Sequence, residues 1–545
     1  MLNIKFVHVF YLLSILGIGL AIKAVAFANL SIINPDGVIY IFQAKAIASG
    51  QWNLLNQCQL PYVSLYPFLI ALFHLYVSSW TTSAQLVSLC CGMGMLAALY
   101  LLLRFFFNHS VSALTTLLFA LTPLLVRYSV DAMRDATFWF FFIAAMLMFV
   151  MHTRQMVAPR RSICLLLTSG ALMLLAAWTR IEGLVLLPAS CLYIVLAQGD
   201  RKPPRLLAVL LPFFLFSIVG VCGLLLSGSN VFGLIRLNEV ADKFIQPMIS
   251  YRELRQALKA MYSGYGFSLM GNFLETSYHT VWLIALGAIL TNAMESFFYP
   301  YVPLYVLGAA ALFDQSKRRP GFLYFLLIIG SSFFLLYAHV IQTWVMTYRF
   351  IALLLLPSCL FAGLGIQTTL DWLASRPQLN YRKACIIVAA FILLASLPKN
   401  MWPIEKDKAI YPEIGQAVAQ LAHKQRPVGI AGRGSPAHNW VVFYANAESD
   451  QPLCYSASTV DPASVADLEQ WMRTHSMQFF LWEELAWQKS SFGRSSREFL
   501  NQFEEMGHWR RKDAGTLILF RLKDEHETLS RTQPTDETNT APNTL

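Results

Sequence analysis

From its first ten residues to about residue 398, the chain is a succession of apolar runs, most of them about as long as a bilayer is thick. A helix needs about 20 apolar residues to cross ~30 Å of hydrocarbon. A chain that commits so much of its length to such runs folds with lipid as part of its solvent. Its backbone must then satisfy itself internally, which for these runs means helices. Candidate spans lie near residues 7–27, 83–107, 110–127, 135–152, 163–179, 183–198, 205–226, 281–313, 321–340, 349–369 and 383–398, about eleven in all. Composition agrees, because 56% of the residues are hydrophobic and only 13% charged, more apolar side chain than a soluble surface of this size accommodates. The expected fold is mainly α: a polytopic membrane helical bundle. Ala26-Phe27-Ala28, at the end of the first run, also resembles a signal-cleavage site. Cleaved or not, residue 30 onward is expected on the far side of the membrane.

Charge is distributed unevenly along the chain. The net formal charge is +10, yet from Met401 onward there are 15 basic and 19 acidic residues, so the first 400 residues carry +14. Those cations sit in short connections: Lys5 before the first run, then Arg104, then Arg154, Arg160 and Arg161, then Arg201, Lys202 and Arg205, then Lys317, Arg318 and Arg319, then Arg376, Arg382 and Lys383. That is the pattern of membrane topology and not of a nucleic-acid surface. All of them share one side if residues 281–313 cross once. The positive-inside rule then puts the N-terminus in the cytoplasm, the protein in the cytoplasmic (inner) membrane, and the C-terminal domain outside it.

The expected division is a transmembrane domain over 1–399, a soluble extracytoplasmic α/β domain over 400–524, and a disordered tail over 525–545. Two outer loops, 29–82 and 227–280, are longer than connection requires. The first shows a helical pattern around 36–50 and an apolar stretch at 66–77 too short to span. The second carries an amphipathic helix over 238–261, lying on the interface and broken at Pro247. In the soluble domain, 411–424 and 462–475 read as helices, and 428–431, 478–481 and 516–521 as short strands. Gly429, Gly432 and Gly434 do not make a dinucleotide fingerprint. Cys90, Cys91, Cys164, Cys191, Cys222, Cys359 and Cys385 fall in or beside apolar runs and read as small hydrophobes. Cys58 and Cys454 fall outside, with nothing in the sequence to pair them.

Ionisable groups at the ends of apolar runs are costly and therefore point to function. They collect on the outer side: Asp36 after the first run, then Arg127, Asp131, Arg134 and Asp135 between the third and fourth, Arg180 and Glu182 between the fifth and sixth, and Tyr348 and Arg349 opening the tenth. Several belong to short motifs: Asp36-Gly37-Val38-Ile39-Tyr40 with Ala44 and Gly50, Arg134-Asp135, Arg180-Ile181-Glu182-Gly183 with Pro188, and Tyr348-Arg349-Phe350 followed by Pro357. In these patterns and their order, the chain resembles the GT-C superfamily of polytopic glycosyltransferases. It resembles in particular the bacterial relatives of protein O-mannosyltransferases and of the aminoarabinose transferase (glycosyltransferase family 39 and kin).

The resemblance implies a polyprenyl-phosphate-linked sugar as donor, membrane lipid around it, and a glycan, lipid or protein acceptor met on the outer face. It implies an inverting transfer with Asp36 as base, and Arg349, Arg134, Arg180 and Tyr348 on the donor phosphate. Tyr40, Asp135, Glu182, Arg127 and Asp131 support them. A carboxylate can take the acceptor hydroxyl's proton, and guanidinium groups bind phosphate bidentately. Many relatives carry Asp-Glu where this chain has Asp36-Gly37. The second carboxylate that would help hold a divalent metal is absent; a divalent metal stays an open possibility, and no cofactor is assigned.

Plainer readings stand beside these. Asp36 after Asn34-Pro35 is also a helix cap. Arg127 and Arg134 are also partners for Asp131 and Asp135. Arg180 and Glu182 also pin a turn, and Arg349 is also an interfacial anchor. Glu275, Glu295 and His339 read as solvated or satisfied. The competing functions are a ligase of lipid-linked oligosaccharides, a transporter or flippase, and a non-catalytic scaffold.

Overall fold

The computed structural model describes residues 2–55, 58, 62–153, 159–196, 202–227, 237–315, 321–422, 427–454, 458–462, 464–487, 502–511 and 515–523. The cations expected at 154, 201 and 317–319, and the tail from 525, lie outside these residues. The chain forms two compact units. The first comprises residues 1–40 and 61–404, the second residues 41–60 and 405–545.

The first unit is a helical bundle. Eight of its described helices are long and apolar enough to cross a membrane: Val9–Ala28, Trp80–Leu103, Asp135–His152, Arg160–Thr179, Lys202–Gly220, Leu269–Ser296, Gly321–Thr343 and Tyr381–Met401. Two bent pairs raise the number to ten. His109–Leu121 meets Pro123–Val130 at 60°, and Tyr348–Leu355 meets Cys359–Ala374 at 65°. Both breaks hold a proline. Pro123 forces Thr122 into extended backbone (φ −61°, ψ 119°), and Pro357 interrupts the second pair by removing a backbone donor. Asn400 Nδ2 donates to the carbonyl of Leu121 at 2.8 Å, satisfying an acceptor that the first break exposes.

Three expectations change. Residues 281–313 are not one continuous helix. A helix over Leu269–Ser296 ends at Phe298, whose backbone is left-handed (φ 66°), and a separate helix follows over Val302–Gln315. The described part of the span expected at 183–198 is a 3-10 turn (Ile181–Val185) and a short helix (Leu186–Leu196) below spanning length. Pro247 does not break the amphipathic segment, which runs unbroken over Leu237–Tyr265 and packs against Leu269–Ser296 and Gly321–Thr343. Those contacts compensate for the backbone bond that proline removes.

Small residues allow the closest helix approach. A methyl group on Gly308 would lie 1.7 Å from the carbonyl oxygen of Phe361, and one on Gly365 would lie 1.8 Å from that of Leu304. Helices Val302–Gln315 and Cys359–Ala374 therefore pack backbone to backbone, as membrane helices with small residues do. Where the chain leaves the first and last crossings it meets itself. Ile404 N–H donates to Asn29 C=O (3.0 Å), Ser31 N–H to Ile404 C=O (3.3 Å), and Asn29 Nδ2 to Met401 C=O (3.2 Å).

The second unit holds a four-stranded sheet, β1 (Ile430–Ala431), β2 (Phe479–Glu483), β3 (Phe503–Arg511) and β4 (Gly515–Leu522), in the order β1-β2-β4-β3. β1 pairs parallel to β2, and the other pairings are antiparallel. Helices Ile410–Leu421, Pro436–Ala445 and Val465–Thr474 accompany it. The sequence pattern missed the middle helix and β3. Trp487, Phe480 and Leu468 are buried at its centre. Gly432 packs under the His438 ring, where a methyl group would lie 2.4 Å from the ring, so these glycines serve a tight strand-to-helix turn. Cys58 and Cys454 form a disulfide, a pairing that sequence alone left open.

Candidate active site

The helix Pro35–Ala48 begins where Pro35, lacking an N–H, takes the first helical position. Asn34 supplies the cap, its Oδ1 accepting from Asp36 N–H at 3.1 Å. Asp131, buried, in turn accepts from Asn34 N–H (2.9 Å) and Ala132 N–H (2.7 Å), tying the 131–134 turn to this helix start. The two backbones touch, since a methyl group on Gly37 would lie 2.6 Å from the oxygen of Ala132. Capping thus falls to Asn34, and the carboxylate of Asp36 is engaged elsewhere. Its Oδ2 accepts from Arg349 Nη1 at 2.5 Å, both side chains being part-exposed.

Arg349 sits on the 3-10 turn Tyr348–Ile351. Tyr348, next to it, is exposed and shares a side-chain hydrogen bond with Glu295. The ring of Phe350 lies 4.6 Å from the guanidinium carbon of Arg180, 5.7 Å from that of Arg349, and 4.7 Å from the His339 ring. One aromatic face thereby gathers two guanidinium groups into one neighbourhood.

Arg180 is buried and pairs with Asp135 and, at 3.4 Å, with Glu182. Glu182 also accepts from Lys243 at 3.3 Å. Gly183 makes this turn possible: a methyl group there would lie 2.7 Å from the backbone of Ala176 and Ala177. Asp135 therefore belongs to Arg180 and not to its neighbour Arg134. Arg134 donates to Tyr62 OH at 3.1 Å, its guanidinium carbon 5.5 Å from the rings of both Tyr40 and Tyr62. Burial pushes the Tyr40 hydroxyl well above its ordinary range, against the opposing pull of Arg134, so Tyr40 stays neutral. The Arg127 guanidinium carbon lies 5.9 Å from the Tyr128 ring centroid.

The polar atoms of this cluster that are buried without a hydrogen-bond partner include Arg134 Nη1, Asp135 Oδ2 and Arg349 Nε. Buried polar groups are normally paired, so unpaired guanidinium N–H positions on two arginines that both act on Tyr40 suit an anionic ligand. An apolar cavity of about 620 Å³ reaches the cluster through Glu182, the partner of Arg180; Glu182 and Lys243 are its charged lining residues, with Leu184, Leu187, Phe334 and Leu335 around them. For a divalent metal the residues fit poorly. Asp36 is already paired with a cation, position 37 has no room for a carboxylate, and among the described residues no group of three metal-ligating side chains occurs.

Sequence reading did not single out Tyr62, Lys243 or Phe350 as functional. Lys243 carried a signal, as a cation inside an amphipathic segment. Tyr62 carried none.

A family model described as dolichyl-phosphate-mannose-protein mannosyltransferase matches residues 63–222, a stretch containing Arg134, Asp135, Arg180 and Glu182 but neither Asp36 nor Arg349. No curated protein matches the chain. Among solved structures, ArnT from Cupriavidus metallidurans in the apo state aligns over 93% of this chain and 97% of its own, with a TM-score of 0.59 at 11% identity. ArnT bound to undecaprenyl phosphate aligns over the same shares with a TM-score of 0.57 at 11% identity. The archaeal oligosaccharyltransferase AglB from Archaeoglobus fulgidus, in complex with an inhibitory peptide and a dolichol-phosphate, aligns over 96% of this chain and 75% of its own, with a TM-score of 0.52 at 12% identity. At such identities the likeness is one of fold.

Proposed function

We propose that this chain, a multi-pass membrane protein of the GT-C superfamily, transfers a sugar from a polyprenyl-phosphate-linked donor to an acceptor hydroxyl on the outer face of the membrane. The observation that carries the reading is the Asp36–Arg349 ion pair gathered with Arg180 around Phe350, with Arg180 bonded to Glu182 on the wall of an apolar cavity. A lipid-linked donor has two chemistries to satisfy, an anionic phosphate and an aliphatic tail, and both have counterparts here.

In the proposed step the acceptor oxygen attacks the anomeric carbon from the side opposite the phosphate, inverting it. Asp36 takes the hydroxyl proton. The bond from the anomeric carbon to the phosphate oxygen breaks, and the lipid phosphate leaves with the bonding electrons. Arg349, with Arg134, Arg180 and the Tyr348 hydroxyl, stabilises the charge that develops on that leaving group. In the free protein Arg349 neutralises Asp36. A donor phosphate that draws Arg349 away would free the carboxylate to act as base only when the donor is bound. Asp135 and Glu182 hold Arg180, and Tyr40 and Tyr62 hold Arg134.

Transfer of a whole lipid-linked oligosaccharide is the second reading, favoured by the likeness to AglB. The test presents membranes carrying the protein with either a single-sugar or an oligosaccharide polyprenyl-phosphate donor, and follows transfer by mass analysis of envelope glycans. Transfer from the single-sugar donor that is lost in Asp36→Asn supports the first reading. Use of the oligosaccharide donor alone supports the second, and no Asp36-dependent transfer from either defeats both.

A further inference from the structure

The helix Pro123–Val130, eight residues long and bent 60° from the helix before it, leads directly into the 131–134 turn that carries Asp131 and Arg134. A helix that short has little stability of its own, so its direction is set by what holds it. Side chains from three crossings hold this segment. Asn400, on Tyr381–Met401, donates to Leu121 C=O at 2.8 Å, just before the break. Ser88, on Trp80–Leu103, donates to Met133 C=O at 2.9 Å, just after the helix. Lys23, on Val9–Ala28, donates to Leu125 C=O at 3.4 Å, within it.

Lys23 is the member that needs explaining. Its side chain is wholly buried inside a crossing, where an ionisable group is costly and its presence points to function. Leu125 C=O does not require it, because Ser129 Oγ donates to the same oxygen at 2.6 Å. Gly92 keeps the space open: a methyl group there would lie 2.5 Å from Ser129 Oγ and 3.8 Å from Lys23 Nζ. What the ammonium does hold is the direction of the short helix, and the turn that follows leaves little freedom. Asp131 is tied to Asn34, Ala132 lies against Gly37, and Arg134 reaches Tyr62. A small swing of Pro123–Val130 moves all three.

We infer that Lys23 is a positioning residue for the candidate site: with Asn400 and Ser88 it fixes the direction of Pro123–Val130, and so the point at which Arg134 meets an anionic ligand. The inference rests on the reading of Arg134 as a phosphate contact. Lys23 acts through the backbone of Leu125 and the turn beyond it.

The experiment takes the full chain in detergent and measures its affinity for undecaprenyl phosphate in wild type, Lys23→Met, Arg134→Ala and the double variant, with the unfolding temperature of each. Met keeps the length of the side chain, and Ser129 still satisfies Leu125 C=O. Lys23→Met is therefore expected to unfold at the wild-type temperature or above, yet to bind about 10-fold to 100-fold more weakly, the scale of a misplaced contact. In the Arg134→Ala background, Lys23→Met should cause no further loss, because one residue works through the other. Wild-type affinity in Lys23→Met, an equal loss in both backgrounds, or a loss that follows a lowered unfolding temperature overturns the inference. Wild-type protein that binds undecaprenyl phosphate in this Lys23-dependent way but transfers no sugar defeats the transferase reading alone. Wild-type protein that binds no undecaprenyl phosphate defeats both.

Discussion

Arg349 and Asp36, 313 residues apart in sequence, meet as an ion pair at 2.5 Å. Neither is fully buried, so the pair is stabilised only modestly by its own Coulomb attraction. In the proposed reaction its value lies in what each partner does when the other is drawn off. Asp36→Asn keeps the shape and the hydrogen-bond acceptor but cannot accept a proton, and the expected loss is about 10²–10⁴-fold in kcat with little change in donor KM. The measurement is initial transfer rates in detergent-solubilised protein, normalised to folded protein by size-exclusion chromatography. An Asp36→Asn protein with full kcat would end the base assignment.

Arg349→Ala removes the same ion pair from the other side and leaves Asp36 free, so a purely structural pair predicts equal defects from either change. If Arg349 meets the donor phosphate, Arg349→Ala raises donor KM as well as lowering kcat. Arg349→Lys then restores charge but not the bidentate fork, giving partial recovery. Identical behaviour of Arg349→Lys and Arg349→Ala would argue for a positional role instead.

Gly37 explains why this chain has Asp-Gly where an acidic pair was the comparison. With Ala132 O 2.6 Å from any added methyl group, Gly37→Glu cannot build a two-carboxylate site without displacing the 131–134 turn that Asp131 ties down. The expectation is a destabilised protein, by about 1–3 kcal/mol or more, with no gain of metal dependence. Thermal unfolding in detergent with and without Mn²⁺ measures both. A stable Gly37→Glu protein whose activity becomes Mn²⁺-dependent would show that the turn can yield.

Much of this site was legible because ionisable groups beside long apolar runs stand out. Asp36, Arg134, Arg180 and Arg349 were all visible that way. Their pairing was not. Arg134 and Asp135 are adjacent in sequence, yet helix Asp135–His152 turns its first carboxylate toward Arg180, 45 residues on, and Arg134 goes to Tyr62. Adjacency fixes neither direction, because successive residues at a helix start point different ways. Bends were harder still. Pro123 and Pro357 sit in real breaks while Pro247 does not, and only packing against neighbouring helices distinguishes them. β3 is hidden in the sequence because the apolar residues of Phe503–Arg511, Phe503, Met506 and Trp509, are three apart and show no strand alternation. The Cys58–Cys454 bond was invisible for the plainest reason: spacing along a chain does not encode pairing across 396 residues.

The glycine contact between helices Val302–Gln315 and Cys359–Ala374 offers a stability test remote from the chemistry. Gly308→Ala and Gly365→Ala each drive a methyl group into a backbone carbonyl at under 2 Å, so the helices must separate. Each change is expected to lower the unfolding temperature, and the double variant to cost less than the sum, because one separation relieves both clashes. Additive losses would mean that the two contacts are independent.

His438 gives the second unit a pH dependence of known sign. Its Nε2 donates to Ile430 C=O at 2.7 Å, its Nδ1 is buried without a partner, and burial lowers its pKa from 6.5 to about 4. The unfolded chain therefore binds this proton more readily than the folded unit does. Above pH 6.5 both states are neutral at this residue and nothing is lost. As pH falls from 6.5 toward 4 stability declines, and below about 4 the loss stops growing, at on the order of 3 kcal/mol. His438→Gln retains a donor for Ile430 and does not titrate, so it should flatten this part of the profile. Limited proteolysis of the second unit across pH 7 to 4 makes the comparison. Identical profiles for the two proteins would assign the acid sensitivity to another group, with Glu483, whose carboxyl burial pushes up, acting in the opposite direction.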